Sequence, residues 1–158
     1  MKHVVTPWRA AYVTEGARAP GCVLCRAQEA EAEKLRVFVG EKSFIVMNLY
    51  PYNAGHVMVA PRRHIASLTE ATPEELTEMM ALARRLEAVF AEVYKPDGMN
   101  LGMNLGKAAG AGVADHIHLH VLPRWGGDAN FMTVTGETRV EPEDLDTTFE
   151  RMSKALGS

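Results

Sequence analysis

The sequence predicts an α+β fold, and three observations carry that expectation. Short apolar runs bounded by turn residues recur at 36–39, 43–49, 56–60, 99–103 and 117–122, and read as hairpin-like strands. One long stretch, from about Pro73 to Tyr94, keeps helical spacing. Strands and helices are segregated and do not alternate as βα units. The 158 residues show no internal repeat or linker and suit a single domain, 1–158.

Residues 1–21 read as irregular, because Pro7, Gly16, Pro20 and Gly21 break any long element. After Cys25, the Ala- and Glu-rich AQEAEAEKLR reads as a short helix. Gly40-Glu41-Lys42 is a hairpin loop between the first two strands. NLYPYNAG is a loop, since Pro51, Asn53 and Gly55 favour turns; the strand from His56 then stops at Pro61. Thr72 is a good N-cap for the long helix, Pro73 suits its first position, and Glu75 completes a capping box. Leu76, Met79, Met80, Ala83, Leu86, Phe90 and Val93 would form its buried stripe. Pro96-Asp97-Gly98 ends it, and Leu145, Phe149, Met152 and Leu156 suggest a short C-terminal amphipathic helix.

Hydrophobic residues make up 47% of the chain and charged ones 23%, which excludes collagen, coiled coil and low-complexity disorder. Seventeen Lys+Arg against twenty Asp+Glu leave a net charge of −3, which argues against a nucleic-acid binder. No stretch approaches the roughly 20 apolar residues of a membrane span. The N-terminus lacks the apolar core of a signal peptide, so a cytoplasmic location is expected.

Chemistry concentrates in the six histidines. His116, His118 and His120 alternate with Ile117, Leu119 and Val121, so on a strand the imidazoles share one face and the apolar residues the other. Such a face could bind metal or be merely polar. Three imidazoles, with pKa values near 6.5, directly after a glycine-rich loop favour a reactive site. That loop, Asn104-Leu-Gly106-Lys-Ala-Ala-Gly110-Ala-Gly112, is neither a P-loop nor a dinucleotide fingerprint, but its backbone could cradle a phosphate. Cys22 and Cys25 have three readings: a thiol redox pair, two plain buried thiols, or half of a structural zinc site. His56 reads as structural or supporting, and His3 as solvated. Trp8 and Trp125 could stack on a base or simply pack. Arg62-Arg63 and Arg84-Arg85 read as solvated surface.

His116–Leu122 resembles the His-φ-His-φ-His-φ-φ signature of the histidine triad (HIT) superfamily. Pro123-Arg124-Trp125 with Gly127-Asp128 also resembles that family, as does Asn48–His56 with Pro61 and His64. Pro7-Trp8-Arg9, Tyr12, Gly21-Cys22-Val-Leu-Cys25 and Gly126-Gly127-Asp128-Ala129-Asn130 are similar to the diadenosine-tetraphosphate phosphorylase or hydrolase branch.

The resemblance implies the HIT fold: an antiparallel sheet of about five strands with one long helix and short flanking helices. It implies a nucleotidyl transferase or hydrolase acting through a covalent nucleotidyl-histidine. His118 would attack the α-phosphorus, and an imidazole needs no strong external base near pH 7. A neighbouring carbonyl would fix its tautomer, and His120 would hydrogen-bond the reacting phosphate or leaving oxygen. Asn104 falls one residue from the position of a phosphate-contacting glutamine. Gly110, Ala111 and Gly112 would offer backbone donors, Asn48 would face the ribose, and Phe44–Met47 would help enclose the adenine. Zinc would be held by Cys22, Cys25, His64 and His116, with His116 then organising the site. From the residues themselves, Lys107 and the Gly106–Gly112 loop could supply a second anion site for inorganic phosphate, or Lys107 could equally be an ordinary solvated loop lysine. The activity expected first is diadenosine-tetraphosphate phosphorolysis. Dinucleoside polyphosphate or adenosine phosphoramidate hydrolysis, and a nucleotide-binding regulator without turnover, stand as alternatives. A homodimer is also implied.

Overall fold

The computed structural model describes residues 21–29, 35–128 and 143–157. The N-terminal Pro7-Trp8-Arg9 and Tyr12, His3, and Ala129-Asn130 lie outside them. A short helix, α1 (Val23–Arg26), precedes the stretch 27–36 where the sequence predicts a helix; residues 30–34 of that stretch lie outside the described ones, and Arg36 already belongs to β1 (Arg36–Val39). Then come β2 (Ser43–Met47), β3 (Val57–Pro61), the long α2 (Pro73–Val93), β4 (Gly98–Met103), β5 (Leu119–Arg124) and α3 (Leu145–Leu156). The strands form one antiparallel sheet in the order β1-β2-β3-β5-β4. No described helix is long and apolar enough to cross a membrane.

Alternation along β2 explains how the sheet is covered. All five of its residues are buried. Ile45 and Met47 face the main core, where Val37, Val57, Val59, Leu119 and Val121 meet α2 and α3. Phe44 and Val46 face the opposite side and pack with Leu24, Ala27 and Ala60. Phe44–Met47 is therefore packed on both faces and leaves no open wall for an adenine.

α2 starts as its cap residues dictate. Thr72 Oγ1 accepts from the Glu75 N–H, and the Glu75 carboxylate accepts from the Thr72 N–H at 2.8 Å. Its core stripe is Met79, Leu82, Ala83, Leu86, Val89 and Phe90. Met80 is 57% exposed, against expectation, because one further residue turns the side chain about 100° off that stripe. α3 is capped by Asp144 and ends on Gly157 at φ +70°; Met152 and Leu156 seal it to the core.

The register between strands places the reactive face. Val57 and Val59 oppose Val121 and Leu119, all on the α2 side, whereas Met58 opposes His120 on the other. Across β4, Gly102 opposes His120, and a Cβ on Gly102 would meet nothing within 4 Å. The sheet is therefore bare beside His120 on its β4 side.

Candidate active site

β5 begins at Leu119, two residues later than expected. The extended 116–118 segment takes other partners: the Ile117 N–H donates to the Ile65 carbonyl at 2.8 Å. The alternation survives. His116 and His118 are buried, and the His118 and His120 rings meet edge-on, with centroids 4.9 Å apart.

Hydrogen bonds assign a state to each triad ring. His118 Nδ1 lies 2.8 Å from the His116 carbonyl, which can only accept. Nδ1 therefore carries a proton, and the neutral tautomer this bond selects has its lone pair on Nε2. His120 is set by a longer chain. The Tyr52 N–H donates to His56 Nδ1 at 3.0 Å, so neutral His56 carries its proton on Nε2. That Nε2–H donates to His120 Nδ1 at 2.9 Å. Neutral His120 is left with an Nε2–H, a donor beside the nucleophilic candidate. Burial, with His118 next to it, pushes the His120 pKa from 6.5 down to about 4, so the ring is neutral at pH 7.

His56 is wholly buried, and its support role matches the sequence expectation. Asn48 is buried against it, with Nδ2 3.3 Å from the His56 ring nitrogens and Oδ1 accepting from the Tyr50 N–H at 3.0 Å. The loop is pinned at its far end as well. Asn53 Nδ2 donates to Asp128 at 2.7 Å and to the Pro123 carbonyl. Arg124 grips Asp128 with two N–H groups, at 2.5 and 2.8 Å, and holds its carboxyl well below the usual range. Gly55, at φ +78°, lets the chain turn against Pro123 and Tyr94, where a Cβ would approach to 3.1 Å.

The glycine loop is folded partly onto itself. Lys107–Ala109 form one 3₁₀ turn, entered and left by Gly106 and Gly110 at positive φ. The Gly110 N–H donates to the Lys107 carbonyl at 3.0 Å, and the Ala111 N–H to the Gly106 carbonyl at 3.4 Å. Those two expected phosphate donors are thus committed within the turn. Asn104 is half-buried just past β4. Lys107, Ala111 and Gly112 line a cleft of about 550 Å³ shared with Cys22 and His64; His118 and His120 are not among its walls.

Cys22, Cys25, His64 and His116 converge as one cluster, with their ligand atoms all within 4.8 Å of one another. Cys25 Sγ is 3.3 Å from His64 Nδ1, and His116 Nδ1 is 3.4 and 3.6 Å from the two sulfurs. A tetrahedral ion with bonds of about 2.0–2.3 Å has donors about 3.3–3.8 Å apart, so the set fits zinc. His116 is prepared for that role: its Nε2–H donates to the Pro61 carbonyl at 2.8 Å, turning the Nδ1 lone pair to the thiols. Burial lowers its pKa and keeps it neutral.

Arg62, Arg63, Arg84 and Arg85 are exposed, as expected, but two of them also make tertiary contacts. Arg63 binds the buried Glu75 carboxylate through two bonds of 2.7 and 2.8 Å and clamps the His64 segment to α2. Arg85 stacks over Phe38, 4.4 Å from its centroid, and donates to the Leu156 carbonyl. Trp125 packs edge-on against Tyr94. Tyr52, which the sequence did not single out, stands beside His120 with ring centroids 5.8 Å apart.

This sheet, with His118 and His120 paired on one face and a Cys/His cluster beyond the ends of β3 and β5, defines a histidine triad protein. The HIT domain family matches residues 29–127, and the chain belongs to that family. It is 40% identical over 154 residues to the AP-4-A phosphorylase of Mycobacterium tuberculosis, covering 92% of this chain and 79% of that one. It is 38% identical over 87 residues to the bis(5'-adenosyl)-triphosphatase of Dictyostelium discoideum, covering 55% and 58% of the two chains. A Zn-bound histidine triad protein from Mycobacterium smegmatis superposes with a TM-score of 0.71 at 32% identity, covering 87% of this chain and 94% of that one.

Proposed function

We propose that this chain is a nucleotidyl transferase that cleaves diadenosine polyphosphates through a covalent nucleotidyl-His118, with phosphorolysis of diadenosine tetraphosphate as its main reaction. The observation that carries this reading is the 2.8 Å bond from His118 Nδ1–H to the His116 carbonyl, which leaves Nε2 as a lone-pair nucleophile beside a neutral His120 donor. His118 Nε2 attacks the α-phosphorus. The bond from that phosphorus to the bridging oxygen breaks, and ATP departs with the electron pair. His120 Nε2–H hydrogen-bonds the departing oxygen, and the His116 carbonyl steadies the charge gained by the His118 ring. An oxygen of inorganic phosphate then attacks the same phosphorus, breaks the P–N bond and gives ADP.

In this reading Asn104 and Gly112, with Gly110 and Ala111, border the phosphate chain, Asn48 faces the ribose, and Lys107 serves the entering phosphate. Zinc at Cys22, Cys25, His64 and His116 would cross-link the α1, Pro61–His64 and triad segments and fix His116. A homodimer and a cytoplasmic location complete the reading. The 40% identity to an AP-4-A phosphorylase supports it. Hydrolysis is the second reading, favoured by the inward hydrogen bonds of the Gly110 and Ala111 N–H groups, which leave the loop short of donors for a second anion. The paired His118 and His120 argue against a regulator without turnover.

Product identification separates these readings. Diadenosine tetraphosphate with phosphate should yield ATP and ADP. ATP and AMP at every phosphate concentration would establish hydrolysis instead.

A further inference from the structure

Building on the nucleotidyl-transfer reading, we infer that Tyr52 is a stacking platform for the second nucleoside of a dinucleoside polyphosphate, and so sets preference for two-ended over one-ended nucleotides. Tyr52 is 44% exposed, a large aromatic ring left half in water. Its centroid lies 4.7 Å from His56 and 5.8 Å from His120, tilted by 39° and 31° to their planes. The ring therefore leans over the support histidine and its partner, on the side of the triad where His120 stands.

The loop that displays it is tightly held. The Tyr52 N–H is bound by His56, the Tyr50 N–H by Asn48, and the Asn53 side chain by Asp128 and Pro123. A fixed, exposed ring loses little conformational entropy when a ligand packs on it. His120 carries the Nε2–H that serves the departing oxygen, so the departing nucleotide extends from His120 into the space around it. On the β3 flank of His120 that space is bordered by Tyr52, 5.8 Å away between ring centroids. A base at the far end of the departing chain then has an aromatic face at hand. Aromatic stacking tolerates any base, because every base offers a π-face. The base attached at the α-phosphate belongs to the retained nucleotide and makes no use of this ring.

The experiment is calorimetric titration of wild type, Tyr52→Ala and Tyr52→Phe with a non-cleavable methylene analogue of diadenosine tetraphosphate and, separately, with AMP. Tyr52→Ala should weaken the dinucleotide analogue about tenfold and leave AMP unchanged. Tyr52→Phe should bind both as wild type does. Equal weakening of both ligands would overturn the inference, since Tyr52 would then act by holding His56 and His120. So would unchanged binding by Tyr52→Ala, or a Tyr52→Phe variant as weak as Tyr52→Ala. Wild-type protein that binds neither ligand would overturn the nucleotidyl-transfer reading as well; wild-type binding without dependence on Tyr52 overturns this inference alone.

Discussion

Replacing Glu75 by Gln removes one charge and keeps an amide able to cap the first turn of α2. Glu75 is 3% exposed and receives two charge-assisted bonds from Arg63 and one from the Thr72 N–H. The Arg63 bonds, chiefly, hold its carboxyl at about 2, against an ordinary 4.5. A fall from 4.5 to about 2 would correspond to about 3.4 kcal/mol if fully expressed. The Arg63 side chain is 53% exposed, so water screens the pair, and about 1–2 kcal/mol is the expected loss at pH 7. Because the folded-state pKa is depressed, this stability is present above pH 4.5 and disappears as pH falls toward 2. Urea unfolding of wild type, Glu75→Gln and Glu75→Ala measures it. Glu75→Ala should lose about 1 kcal/mol more, since the cap goes too. The Arg63→Met/Glu75→Gln cycle should show coupling, and the advantage of wild type over Glu75→Gln should shrink below pH 4.5. Arg63 adjoins His64, so zinc release should also quicken. Additive single effects, or a wild-type advantage unchanged at pH 3, would refute the clamp.

Other perturbations probe the site itself. Purified protein from metal-replete medium should contain about one zinc per chain by elemental analysis, and Cys22→Ser should lower both zinc content and thermal stability. His120 has a folded-state pKa of about 4, below its ordinary 6.5; its stability contribution is present above pH 6.5 and is lost as pH falls to 4. Unfolding of His120→Asn should therefore be less sensitive to pH across that window than wild type, by about 1–2 kcal/mol. Gly102→Val should leave stability nearly unchanged, because its Cβ meets nothing, yet cut turnover at least about tenfold by filling the space beside His120; chemical unfolding and steady-state rates read the two effects.

Local chemistry made much of this fold legible. The five described strands lie within two residues of where alternation and turn signals place them, and the two amphipathic helices follow helical spacing and the Thr72–Glu75 capping box. The Cys22, Cys25, His64 and His116 set was also readable, through the triad resemblance, and the fold brings all four together. Contacts between distant segments were not legible. Asn53 finds Asp128 across 75 residues, His56 finds His120 across 64, and Arg63 is distinguished from Arg62 only by Glu75. Met80 and Leu82 show the limit within one helix: both are apolar, and only the angle at which α2 meets the sheet selects Leu82 for the core. The loop at 106–112 shows another limit. Its glycines marked a turn, but the direction of its N–H groups depends on the 3₁₀ geometry that Gly106 and Gly110 permit. Tyr52 carried no signal, because an aromatic in a loop is ordinary until the fold sets it beside His120.

The nucleophile assignment is tested most directly by rapid acid-free quenching of the protein with diadenosine tetraphosphate in the absence of phosphate, followed by peptide mass spectrometry. Wild type should carry an adenylyl group on the peptide containing His118, at Nε2. The adduct should vanish on adding phosphate and be absent from His118→Ala, whose turnover should fall by several orders of magnitude. An adduct on another residue, or near-normal turnover in His118→Ala, would contradict the account.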